Sequence, residues 1–143
     1  MKKLILFFSF LLISGALFAG GKHHKVAVHL DDNDPARMNM VLNNVQNLYS
    51  YYEEIGDTTE VEVVAYGPGL NMLIDDQSPV KDRIMSMSET TDKLTFSACE
   101  NTMNGITKKT GKKPVLIPGI KTTPSGVVRL IELQEAGFAY VRP

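Results

Sequence analysis

The chain is poor in the residues that metal, redox and phosphate chemistry usually draw on. Its 143 residues hold one cysteine and three histidines. No Cys-x-x-Cys pair occurs, which excludes dithiol exchange within one chain. One thiol and three scattered histidines are too few to expect zinc. Met38 and Met40, like Met85 and Met87, fall two apart, a spacing that does not share a helix face. No metal and no cofactor is therefore expected. Gly67-x-Gly69 lacks the third glycine and the following acid of a dinucleotide fingerprint, and there is no Gly-Lys-Ser/Thr phosphate loop. Charge of one sign is also lacking: 15 Lys+Arg stand against 16 Asp+Glu. That balance argues against nucleic acid and against an acidic membrane as partner.

A long apolar run is present only at the start, and it is short. Met1-Lys2-Lys3 is a positive lead, and Leu4 to Ile13 is apolar apart from Ser9. Small residues follow, so residues 1–19 read as a secretory signal, cut after Ala16 or after Ala19. The run falls short of the ~20 residues that a spanning helix needs, so no membrane contact is expected once it is removed. Loss of Lys2 and Lys3 leaves 13 basic against 16 acidic residues, a formal net charge of −3. A periplasmic or otherwise exported location is expected. In an oxidising compartment a lone thiol is a liability unless it is buried or used, which singles out Cys99.

Residues 20–24 read as a disordered leader and residues 25–143 as a single domain. Lys25 to Leu30 is an apolar first strand. Asp34-Pro35 begins a helix, an aspartate cap followed by a proline at the first helical position. Ser78-Pro79 and Thr123-Pro124 repeat the pattern. Met38, Val41, Leu42, Val45, Leu48, Tyr49, Tyr52 and Ile55 recur at spacings of three and four, one apolar face that Gly56 ends. Further strands are expected at Glu60–Tyr66, Leu94–Ala98, Val115–Ile117 and Phe138–Val141. The last helix has Gly137 placed to stop it. Strand and helix thus alternate five to four, which predicts a parallel sheet with helices on its faces.

In open α/β sheets ligands collect beyond the carboxyl ends of the strands. The unusual residues fall there: His29 to Asp34, Gly67 to Asn71, Cys99 to Thr102, and Pro118 to Thr123. Cys99 closes an apolar run and precedes a helical segment. Free N–H groups at a helix start favour a thiolate over a thiol. The plain alternative is a packed thiol, since unpaired cysteine is commonly a buried small hydrophobe.

Several stretches in order resemble the DsrE/DsrF-like family, in its exported branch. They are His29-Leu30-Asp31, Asn43 to Leu48, Ala65-Tyr66-Gly67-Pro68-Gly69, Ala98-Cys99-Glu100-Asn101-Thr102, Pro118-Gly119, Pro124-Ser125-Gly126-Val127 and Gln134-x-x-Gly137-x-Ala139-Tyr140. The resemblance spans Lys25 to Pro143. It implies a three-layer α/β/α fold with a five-stranded parallel sheet ordered 4-3-2-1-5. Right-handed crossovers in that order place three helices on one face and one on the other. It also implies a persulfide on Cys99, relayed to or from a sulfur donor or acceptor, and assembly as a trimer or hexamer.

The candidate contact residues are then His29, Asp31, Asn44, Gly67, Pro68, Gly69, Asn71, Glu100, Asn101, Thr102, Pro118 and Gly119. Cys99 is expected to face the Gly67 and Pro118 loops, with His29 two strands away and out of direct reach. One helix does not cover five strands, so apolar surface beside it is expected to be buried between subunits. The alternative function is a non-catalytic oligomeric binding module with Cys99 packed. A single-cysteine peroxide sensor needs only the same activated thiol.

Overall fold

The computed structural model describes residues 20–143. The expected signal segment and its two cleavage points lie outside the described residues. Five strands, β1 (His23–Leu30), β2 (Thr58–Ala65), β3 (Leu94–Cys99), β4 (Lys121–Thr123) and β5 (Ala139–Val141), alternate with four helices. These are α1 (Pro35–Glu54), α2 (Lys81–Thr90), α3 (Glu100–Thr110) and α4 (Gly126–Glu135), and a 3-10 turn at Gly67–Leu73 follows β2. All strand pairs are parallel, in the order β4-β3-β2-β1-β5.

Local chemistry accounts for α1. The Asp34 carboxylate accepts the Ala36 N–H at 2.9 Å and Pro35 takes the first helical position. Such a cap contributes about 1 kcal/mol. Met38, Val41, Leu42 and Val45 are buried against the sheet, whereas Ile55 lies beyond the helix end and is exposed. Gly56, at φ +81°, turns the chain back into β2.

Alternation along the strands divides their side chains between two faces. Val26, Val28 and Leu30 join Val61, Val63, Phe96 and Ala98 in one large core beneath α1, α2, α3 and the 3-10 turn. Ala27 and Val64 join Leu130 and Leu133 in a small second core beneath α4 alone. The fold is therefore three-layered, with three helices on one face and one on the other.

The surface beside α4 departs from expectation. It is not apolar but charged and rich in hydroxyls: Glu62, Thr95, Ser97, Lys121, Thr123 and Arg129 line it. Glu62 is buried there and fully engaged. Arg129 donates to its two carboxylate oxygens at 2.8 and 2.7 Å, and Ser97 Oγ donates at 2.7 Å. Exposed apolar side chains lie on the outside of α4, at Val127, Val128 and Ile131, and on β5, at Tyr140 and Val141.

Four expected boundaries shift. The second helix begins at Lys81 with Val80 as its cap residue, so Ser78-Pro79 precedes it and does not open it. The leader expected over residues 20–24 is not disordered throughout: β1 already begins at His23. Lys22 N–H donates to Asp57, and His24 stacks on Tyr52 with centroids 3.7 Å apart. The fourth strand is Lys121–Thr123, not Val115–Ile117. Val115 is 69% exposed, and Leu116 makes only an isolated antiparallel bridge to Ile74. A short edge strand needs ladder bonds on one side only, so it carries no apolar signature to read. Thr123 consequently ends a strand, and α4 starts two residues after Pro124, with Ser125 as its cap residue.

Candidate functional site

Cys99 is the last residue of β3 and the cap position of α3. It shares strand parity with Ser97, so its side chain belongs to the α4 face. The ladder pairs it with Thr123, and from there Pro124 and Ser125 lead into α4. The Pro124 carbonyl accepts the Asn101 N–H at 3.3 Å, tying the two helix starts together. Gly126, the first residue of α4, presents its N–H toward the thiol. Two helix N-termini thus converge on one sulfur.

Burial pushes the Cys99 thiol up, since a buried charge is disfavoured. The Thr102 hydroxyl and the N–H groups of Gly126, Thr102 and Asn101 pull it down, and the pull prevails: its pKa lies below the ordinary value. Thr102 Oγ accepts the Gly67 N–H at 2.9 Å. Its own proton is thereby free to point at sulfur, as a hydroxyl has one donor and two acceptor sites.

Gly126 could not be another residue without moving this wall. A Cβ there would sit 2.7 Å from Cδ1 of Tyr66. The Tyr66 ring in turn stacks on His29, with centroids 4.7 Å apart. Tyr66 therefore stands between His29 and the Cys99 neighbourhood. His29, 5% exposed, binds the Tyr140 hydroxyl through Nδ1 at 2.7 Å. Its Nε2 is 3.8 Å from Asp31 Oδ2 and makes no hydrogen bond among the described residues. Burial lowers the His29 pKa against the opposing pull of Asp31, and Arg142 lowers it further. Asp31 is itself held by Arg142 at 2.7 Å. His29 is thus a neutral imidazole at neutral pH, committed to β5.

The candidate residues sort by these contacts. Gly67, Asn101 and Thr102 gather around Cys99, and Glu100 follows it in the first turn of α3. Pro68 and Asn71 lie across a shallow pocket from Thr102. Gly69 serves packing, since a Cβ there would come within 2.4 Å of the Leu30 carbonyl oxygen. His29 and Asp31 form the neighbouring cluster with Tyr140 and Arg142.

Pro118 and Gly119 are not at the site. They precede β4, at its amino end, whereas Cys99 pairs with its carboxyl end. The wall expected from the Pro118 loop is supplied by Thr123 to Gly126, because the fourth strand lies six residues beyond Val115–Ile117. Asn44 is also remote, on α1 beside Asn47, Tyr51 and Val141. Tyr66 and Gly126 were not among the candidates. Each stands at a strand or helix end, but only their contact identifies them. Among the described residues no group of three or more His, Cys, Asp or Glu is arranged to hold a metal ion.

Fold and site together define a three-layer α/β protein with a buried thiol at the carboxyl edge of a parallel sheet, where the starts of α3 and α4 meet. The solved structure of a protein of unknown function, MTH1491 from Methanobacterium thermoautotrophicum, is similar to it: 29% identical, with a TM-score of 0.70, over 86% of this chain and 99% of that one. No family model matches the chain. No curated protein matches it either.

Proposed function

We propose that Cys99 is a sulfur-carrying residue, holding sulfane sulfur as a persulfide and passing it to a partner thiol, as the resemblance to DsrE/DsrF-like proteins implies. The observation that carries this reading is the place of Cys99 at the cap of α3, with the start of α4 held beside it by the Asn101 N–H to Pro124 carbonyl bond, so that N–H donors of both helix starts lie near the sulfur. Such donors stabilise negative charge on sulfur, whether thiolate or persulfide. Mass spectrometry after incubation with inorganic polysulfide tests it. A gain of one sulfur that disappears in Cys99→Ser supports the reading, and no gain in the wild type sinks it.

The burial of Cys99, only 4% exposed, favours a second reading, a binding module in which the thiol is packed. Inertness of Cys99 to iodoacetamide in the folded protein would decide for that reading. In either case assembly as a trimer or hexamer is part of the proposal. Val127, Val128 and Ile131 on the outside of α4, with Tyr140 and Val141 on β5, are the apolar surface available for it. A monomer by light scattering at micromolar concentration would remove this part.

A further inference from the structure

The outward side of α1 is short of charge. Between Arg37 and Glu53 the helix has no acidic or basic residue, although its outer positions are exposed. A helix surface that faces water is ordinarily charged. Away from the buried Met38, Val41, Leu42 and Val45, one stripe recurs at alternate spacings of three and four: Arg37, Met40, Asn44, Asn47, Tyr51 and Glu54. That alternation is the seam along which two helices pack side by side.

Met40 is 48% and Tyr51 60% exposed. Along the seam an open groove of about 320 Å³ runs between Asn44, Asn47 and Tyr51 on one side and Val141 on the other. Arg83 spans the opposite flank of the helix, donating to Asn39, Asn43 and Gln46. The amides of that flank are engaged within the chain, and the seam lies clear of them.

The seam is self-complementary. Its order is cation, apolar, amide, amide, apolar, anion, so a reversed copy sets Met40 against the partner's Tyr51, Asn44 against the partner's Asn47 and Arg37 against the partner's Glu54. A thioether packs well on an aromatic ring. Amides both donate and accept, so they can pair with their own kind, and polar residues within a seam fix its register. Arg37 also binds the Pro143 carbonyl and lies 3.4 Å from Asp32, yet its side chain stays 38% exposed. The neutral centre brings no like charges together, and opposite charges meet at both ends.

We propose that α1 is a two-fold interface, on which two copies of this chain pack antiparallel along this seam. The helix of an unrelated protein would require no such reversed order, and that order selects a second copy. The contact is separate from the apolar surface of α4 and β5. If a ring closed there is a trimer, a two-fold contact on α1 pairs two rings into a hexamer. The inference does not depend on the carrier reading of Cys99.

Light scattering of the purified protein at micromolar concentration is expected to show an even number of copies. Met40→Glu, at a position the fold does not bury, should halve that number and raise the dissociation constant roughly thirtyfold. In a Cys99→Ser background, Asn44→Cys with Asn47→Cys should give a disulfide-linked dimer on air oxidation. Ser50→Cys, which continues the row of Asn39, Asn43 and Gln46, should not. Glu54→Lys should loosen the contact about fivefold at low salt and less at high salt. A trimeric wild type overturns the inference and leaves the ring standing, whereas a monomeric one overturns both and leaves the seam to a helix of another protein. An assembly unchanged by Met40→Glu, or cross-linking through Ser50→Cys and not through the seam, also overturns it.

Discussion

The two faces of the sheet are built on different principles. Beneath α1, α2 and α3 the core is large and apolar, and its side chains, from Val26 to Ile117, are almost wholly aliphatic or sulfur-containing. Beneath α4 the core is four small or medium residues, and the rest of the face holds a buried carboxylate, hydroxyls and the one thiol. Stability is concentrated on the first face. Chemistry is available on the second because polar groups there can be buried with partners, at little cost to a core that lies elsewhere.

The contrast breaks most readily at Leu42, fully buried on the three-helix face. Leu42→Ala is expected to cost about 3 kcal/mol in urea unfolding while leaving the Cys99 reactivity of the folded protein unchanged. A similar cost for Cys99→Ala would erase the distinction. On the α4 face, Arg129→Ala strands the Glu62 carboxylate. The loss is expected at about 2 kcal/mol, below that of a fully buried pair because Arg129 is one-third exposed. The double variant Glu62→Gln with Arg129→Met should recover most of it, and a double variant no better than the single one would count against this account.

The same pair sets an acid limit. Burial raises the Glu62 pKa, but Arg129 and Ser97 outweigh it and the net direction is down. A depressed folded pKa contributes stability that is fully present above the unfolded value of about 4.3. That contribution is lost as pH falls through the lower, folded value. Unfolding midpoints followed downward from pH 6 should therefore drop more steeply in the wild type than in the Glu62→Gln, Arg129→Met protein.

Thr102→Val should leave the fold in place and remove a hydroxyl from the thiolate. A hydrogen bond to a charged group contributes roughly 1.5 kcal/mol at the low end, about a tenfold change in thiolate fraction. The measurement is the pH dependence of iodoacetamide alkylation, with the Cys99 midpoint moving up. No movement would mean that the helix starts alone set the thiol. The smallest effect belongs to Asp34→Ala, about 1 kcal/mol from the lost cap of α1 and nothing at Cys99.

The residues of the site were legible in unequal measure. Cys99 stood out because a strand visibly ended and a helix began there, and Asn101 and Thr102 came with it. Gly126 carried no comparable signal: its role depends on meeting both Tyr66 and Cys99, which are distant in the chain. Pro118 and Gly119 looked like a strand end because Val115 to Ile117 is apolar, yet that run never joins the parallel sheet.

The sequence by itself determined the alternation of strand and helix, the apolar face of α1 and the junction that holds the thiol. These are local matters, decided by side-chain periodicity, caps and turn residues within a few positions. Only the tertiary structure decided what surrounds the thiol and what occupies His29. Tyr140 lies 111 residues from His29, and the α4 start reaches Cys99 through a three-residue edge strand with no apolar pattern. Such meetings follow from how whole elements pack, and no spacing along the chain records them.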